Sequence, residues 1–302
     1  MSPLRRAYTR NPRLWLFGIL GLILIVIIVC VILALPSKSK QSAPEVSATP
    51  EPVQEEAIPA AAEAPRASMV RDYQVLENIP NTDRAIGLPE SARVDDSYFD
   101  DALFVGDSVT LKFSRYITEA RKVVNNTGTL GKSYFLAAQS FSARNALAPV
   151  TETSIHPTIA GKKMTLEDAV AMSGAKKLYI MLGMNDAGVT GVNTAVRNMC
   201  ELLGRIREKA PDITIFVESA TPRLSGEEPT TQELFDYDIK LYEAVLEMDD
   251  PNLYFVDVAY VMRDAEGKLI EEYCGDPSGM ALHFTNAGCR EWAEYLYTHA
   301  IA

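Results

Sequence analysis

Five short apolar runs, at residues 102–105, 134–138, 177–183, 213–218 and 253–258, punctuate the later two thirds of this 302-residue chain. Amphipathic helical patterns at 109–122, 165–173, 194–209, 232–248 and 287–301 alternate with them. Apolar runs of that length, separated by helical patterns of roughly 12–18 residues, are the mark of βαβ units and of a parallel sheet covered on both faces. In such sheets, sites gather at the carboxyl ends of the strands. Two of those ends carry polar clusters, Gly106-Asp107-Ser108 and Gly183-Met184-Asn185-Asp186. The topology lets them meet.

Ser108 stands where an apolar strand gives way to a helix. A serine there is exposed at the sheet edge, and its amide lies among the free N–H groups of a helix N-terminus, which favour negative charge. That placement suits a nucleophile whose attack creates an oxyanion. The plain alternative makes Asp107 and Ser108 an ordinary helix-capping pair. A hydroxyl nucleophile needs a base, and the chain holds only three histidines. His156 precedes a proline in an irregular stretch and reads as structural. His299 sits at the end of the last helix, where it complements the dipole. His283 lies just before that helix, in Met280-Ala281-Leu282-His283-Phe284-Thr285-Asn286, on a loop that can reach Ser108.

The first third of the chain is of another kind. Residues 14–35 form a 22-residue run without a charge. As a helix this run spans about 33 Å, close to a bilayer's hydrocarbon core. It is too long for a signal peptide, and no small-x-small cleavage site follows it. Four arginines precede it and two lysines follow, which puts residues 1–13 in the cytoplasm and the rest of the chain outside the membrane. Residues 36–68, rich in Pro, Ala, Glu and Ser, cannot bury a core and read as a disordered linker. Residues 69–302 are then one domain of roughly 230 residues. Beyond residue 40, 40 acids face 23 bases, a net charge of −17, so polyanion binding and with it nucleic acid are excluded. No Cys/His spacing suggests a metal site. Cys274 and Cys289 bracket His283 and leave a pairing open.

Taken together, Gly106-Asp107-Ser108, Gly183-Met184-Asn185-Asp186 and His283-Phe284-Thr285 resemble, in order and separation, three of the four signature blocks of the SGNH (GDSL-type) hydrolases, over roughly residues 101–302. The resemblance implies a flavodoxin-like three-layer α/β/α fold, here preceded by one transmembrane helix, and ester hydrolysis without a metal or organic cofactor. It makes Ser108 the nucleophile and an oxyanion donor through its amide, Asn185 a second donor, and His283 the base. Asp107 and Asp186 remain structural partners of their turns.

Two positions depart from the family pattern. The family's acid, usually three residues before the histidine, is replaced by Met280. Asp276, seven residues upstream, is the favoured substitute; Asp257 or a backbone carbonyl are the others. The glycine of the remaining block is missing from residues 137–142, where Gln139 is the candidate to supply its amide to the oxyanion hole. The expected function is a membrane-anchored extracytoplasmic serine esterase removing acyl groups, such as O-acetyl, from a cell-envelope glycan or a small ester. Its alternatives are an O-acyltransferase of the same fold and an inactive domain that binds glycan or protein.

Overall fold

A computed structural model describes residues 85–301 apart from 124 and 227. The expected tail at 1–13, apolar span at 14–35, linker at 36–68 and opening of the domain at 69–84 lie outside the described residues. Among the described residues, no helix is long and apolar enough to cross a membrane.

The central sheet has five parallel strands in the order β2-β1-β5-β6-β7, where β1 is Ala102–Gly106, β2 Tyr134–Ala137, β5 Lys177–Met181, β6 Thr214–Glu218 and β7 Leu253–Val256. A two-stranded hairpin, β3 (Thr158–Ile159) with β4 (Lys162–Lys163), stands apart from it. The helices are α1 (Ser108–Ala120), α2 (Ala143–Leu147), α3 (Leu166–Ser173), α4 (Met184–Thr190), α5 (Val192–Lys209), α6 (Thr231–Glu247) and α7 (Asn286–Thr298). α1 and α7 pack together, while α2, α3, α4 and α6 gather around α5. Sheet and helices thus form the α/β/α arrangement that the sequence pattern implies.

The strands lie in register with an aromatic residue at the same level in each: Phe135, Phe104, Tyr179, Phe216 and Tyr254 occupy paired positions across all five. Their rings stack in sequence at centroid separations of 4.9, 4.7, 4.5 and 5.7 Å. In-register neighbours on one face of a sheet are close enough for aromatic contact, which adds to the area they bury. Phe113 of α1 closes over Phe104 and stacks at 4.1 Å on Trp292 of α7, so the ladder is tied to the helices that flank Ser108 and His283.

The stretch before β1 adds to the sheet. Gly87 bridges Val256 antiparallel, and Leu88 N–H donates to Phe255 O at 2.8 Å. Gly87 has φ +87°, and a Cβ there would sit 2.3 Å from Phe255 O, so only glycine allows this approach. Further on, Ser91 and Val94 donate to Thr298 O and Tyr297 O at the end of α7.

Glu218, at the end of β6, is fully buried and accepts the Trp292 indole N–H at 2.8 Å. Burial pushes its carboxyl up to about 8 against the opposing pull of that hydrogen bond, so it is protonated at neutral pH. An acid whose pKa is higher folded than unfolded lowers stability as pH rises, because the unfolded chain ionises first. The loss starts near the ordinary glutamate value of 4.5 and is complete above about 8. Glu218→Gln should remove this slope: the difference in melting temperature between variant and parent, followed by circular dichroism, should grow in the variant's favour from pH 5 to pH 8. A constant difference would show that Glu218 does not titrate in this window.

Candidate active site

β1 delivers its last residue, Gly106, into a tight corner: a Cβ there would lie 2.0 Å from Thr110 Oγ1 and 2.9 Å from Met181 O. Asp107 follows as the N-cap of α1, its Oδ1 accepting Val109 N–H at 2.9 Å. Its other oxygen accepts Asn185 Nδ2 at 2.9 Å. Burial pushes the Asp107 carboxyl up to about 6, while the Val109 N–H and the nearby His283 pull it down. The capping duty thus falls to Asp107 alone. Ser108 opens α1 half-buried, its Oγ 3.0 Å from His283 Nε2.

His283 is held from its other side. Nδ1 lies 2.7 Å from Asp276 Oδ2, and Asp276 Oδ1 accepts the backbone N–H groups of Leu282 and His283, both at 3.0 Å. Burial would raise the Asp276 carboxyl, but the His283 ring and these two amides outweigh it and hold the group below the ordinary aspartate value. A carboxylate on Nδ1 fixes the tautomer in which Nε2 accepts the serine proton. Met280, at the position where the family carries its acid, is 56% exposed. Asp257 is buried elsewhere, paired with Arg263 at 3.1 Å and accepting Ile86 N–H.

Asn185 and Asp186 lie in the first turn of α4, which β5 reaches through Leu182 and Gly183. Gly183 has φ +139°, and a Cβ there would strike the Tyr237 ring at 2.3 Å. Tyr237 in turn donates to Leu182 O at 2.8 Å and locks the turn. Asn185 Nδ2 makes two bonds, to Asp107 Oδ2 and to Phe141 O at 3.2 Å. To serve an oxyanion it has to give up one of them, and the Phe141 bond is the longer. Asp186, fully buried, accepts the N–H groups of Ala143 and Arg144 at 2.9 Å each, capping α2.

The segment between these parts is a turn after β2. Ala138 N–H donates to Gly106 O at 3.2 Å and Phe141 N–H to Ala138 O at 3.3 Å, enclosing Gln139 and Ser140. Gln139 is exposed there, but the left-handed residue is Ser140, with φ +56°. The conformation a glycine would supply is therefore carried by Ser140, one residue beyond the expected position. α2, Ala143–Leu147, opens the stretch that leads to His156. His156 is buried, 2.9 Å from Ser154 Oγ and 3.3 Å from Ala146 O. His299 contacts Tyr295 O at 2.9 Å through Nδ1. Burial lowers its pKa, which works against the cationic form that would complement the dipole. Cys274 and Cys289 are both free thiols. Among the described residues, no cluster of three His, Cys, Asp or Glu is placed to hold a metal ion.

A family model described as "GDSL-like Lipase/Acylhydrolase family" matches residues 104–290. The chain belongs to that family. It is an SGNH-type serine ester hydrolase. A search of curated proteins finds no significant relative. Among solved structures the hydrolase is similar to a GDSL-like lipase from Bacteroides thetaiotaomicron (14% identity, 66% of this chain and 87% of the other, TM-score 0.47). It is also similar to a family 3 carbohydrate esterase from Clostridium thermocellum (15%, 65% and 92%, 0.42) and to a peptidoglycan O-acetylesterase (14%, 57% and 47%, 0.39).

Asp186 ties the start of α2 to α4 in this hydrolase. Asp186→Ala would orphan the buried Ala143 N–H, at about 1–3 kcal/mol, leave the part-buried Arg144 N–H to water, and free the segment carrying Phe141 O. We expect a lower denaturation midpoint together with a lower kcat, and a milder effect from Asp186→Asn, which keeps one acceptor. Parental stability in Asp186→Ala would show that the carboxylate does not hold α2.

Proposed function

We propose that Ser108 is the nucleophile, His283 its general base and Asp276 the acid that orients the imidazole. The observation that carries this reading is the unbroken line Asp276 Oδ2–His283 Nδ1 at 2.7 Å and His283 Nε2–Ser108 Oγ at 3.0 Å. Ser108 Oγ attacks the ester carbonyl as its proton passes to Nε2. The carbonyl oxygen, now negative, is received by the Ser108 amide at the start of α1 and by Asn185 Nδ2 released from Phe141 O. In the turn after β2 the Ala138 and Phe141 N–H groups are taken by Gly106 O and Ala138 O, which leaves the amide of Gln139 or Ser140 as the third donor. His283 then protonates the leaving alcohol. A water molecule deprotonated by His283 repeats the sequence on the acyl-enzyme and releases the acid.

The proposed setting is extracytoplasmic, with residues 14–35 in the membrane and the substrate an acylated glycan of the cell envelope, O-acetyl groups among its acyl groups. Support for it comes from the uncharged 22-residue run, the arginines before it and the proline-rich stretch behind it. At full extension, residues 36–68 would reach roughly 100 Å, far enough to work within a polymer layer beyond the bilayer.

The test is hydrolysis of p-nitrophenyl acetate and release of acetate from O-acetylated envelope polysaccharide by the full-length protein. Ser108→Ala and His283→Ala should abolish both, and Asp276→Asn should lower kcat by about 10³–10⁴-fold. Unchanged turnover in Ser108→Ala would sink the mechanism; turnover of the small ester with none of the polysaccharide would sink the glycan assignment alone.

A further inference from the structure

The loop carrying both acid and base is longer than the family's spacing and is strained. From Asp276 it turns through Gly279, whose N–H donates to Asp276 O at 2.8 Å, to Ala281, whose N–H reaches the same oxygen at 3.1 Å. Ala281 is buried and has φ +55°, a left-handed conformation that an alanine holds only when its surroundings impose it. The two carbonyls on either side of that residue's Cα are both gripped by one segment, the arm that follows β6. Arg223 Nη2 donates to Met280 O at 2.9 Å, and Leu224 N–H donates to Ala281 O at 2.8 Å.

Arg223 is itself fixed. Its side chain is buried, 9% exposed, and Nη1 donates to Glu228 O at 2.7 Å and Pro229 O at 3.2 Å. Its own carbonyl accepts Leu269 N–H at 3.0 Å and Thr231 Oγ1–H at 3.1 Å. Gly226 lies against the guanidinium so closely that a Cβ there would be 2.2 Å from Nη2. One planar fork thus joins the 223–229 loop to the 276–283 loop through three carbonyl oxygens, a task that the single ammonium of lysine cannot copy.

We propose that Arg223 is a positioning residue for catalysis: it clamps Met280 O so that the strained 276–283 loop presents Asp276 to His283 and His283 to Ser108. The proposal rests on the Ser108–His283–Asp276 reading above. Arg223 does not touch the reacting atoms. It acts through the loop, so its loss alters the alignment of the base and leaves the substrate contacts in place.

The experiment compares full-length parent, Arg223→Met, Arg223→Lys, Arg223→Met with Ala281→Gly, and Ser108→Ala. The expected result is a kcat lower by about 10–100-fold in Arg223→Met, as for a misplacement of about 1 Å, with KM within about 2-fold of the parent. Arg223→Lys should lie between them. The far-downfield proton resonance of His283 Nδ1–H bonded to Asp276 should weaken in Arg223→Met. Glycine at 281 accepts the left-handed conformation unaided, so the double variant should recover both the resonance and most of the lost kcat. A merely structural arginine would not be rescued at that position. Parental kcat and resonance in folded Arg223→Met overturns the clamp, and so does a double variant no better than the single one. Where Arg223→Met fails to fold, Arg223→Lys decides: parental kcat and resonance overturn the clamp, a lowered kcat at unchanged KM supports it. Full turnover in Ser108→Ala overturns the catalytic reading instead, whatever Arg223 does.

Discussion

The pairing of Gly106 with Ala137 on one side and Met181 on the other is the constraint from which the site follows. Parallel strands in that register end together, so what each strand hands on to begins at one height. β1 hands on to Ser108, β2 to the 138–141 turn, and β5 to the turn that carries Asn185. A slip of one residue in either pairing would invert every side chain on that strand and take its aromatic out of the ladder. The stacked rings therefore guard the same register that brings the polar ends together. Phe113 and Trp292 extend this coupling to α1 and α7, the helices that begin nearest Ser108 and His283.

Within that frame, three carboxylates do the local fixing, each by accepting several N–H groups at once. Asp107 holds Val109 and Asn185, Asp186 holds Ala143 and Arg144, and Asp276 holds Leu282, His283 and the imidazole. Carboxylates taken out of water are tolerated only when such bonds replace hydration. Burial raises Asp107 and Asp186, while the bonds at the more open Asp276 win and keep it ionised. The site's rigidity and its electrostatics are in this way one property: the groups that fix the loops also set the charge around His283. Glu218 shows the opposite outcome, a buried carboxyl with one indole partner that stays protonated.

Strands and long helices were legible because their signals are repeated along many residues. Helix 194–209 is observed as α5, Val192–Lys209, and the apolar runs match the five parallel strands to within two residues. The approach of His283 to Ser108, 3.0 Å in the structure, was legible because strand-to-helix junctions and a short list of histidines leave little choice. α2 was not: five residues carry no periodicity, and its stability comes from the Ser142 cap and from Asp186, which is 43 residues away. The left-handed Ser140 had no local sign either. Turn sequences announce that conformation through glycine or asparagine, and here the Ala138–Phe141 hydrogen bond imposes it on a serine. The burial of His299 beside Tyr295, which lowers its pKa, was also invisible.

The Asp276–His283 contact, 2.7 Å across seven residues of sequence, shows why motif spacing is a weaker constraint than motif geometry. An imidazole needs a carboxylate oxygen on Nδ1 at bonding distance, and the number of intervening residues matters only through the turn that links them. Three residues place the acid by a short direct path. Seven can do the same if the extra residues fold back, as Gly279 and Ala281 do in bonding to Asp276 O. The longer path has more conformations to exclude, and each must be excluded by contacts from outside the loop. Here those contacts include Asp276's own bonds to Leu282 and His283 N–H, which make the acid part of the loop's structure as well as its chemistry. A carboxylate that shapes the loop holding its own partner is fixed in place whenever the loop is, so the loss of the ordinary spacing need not loosen the Asp276–His283 pair.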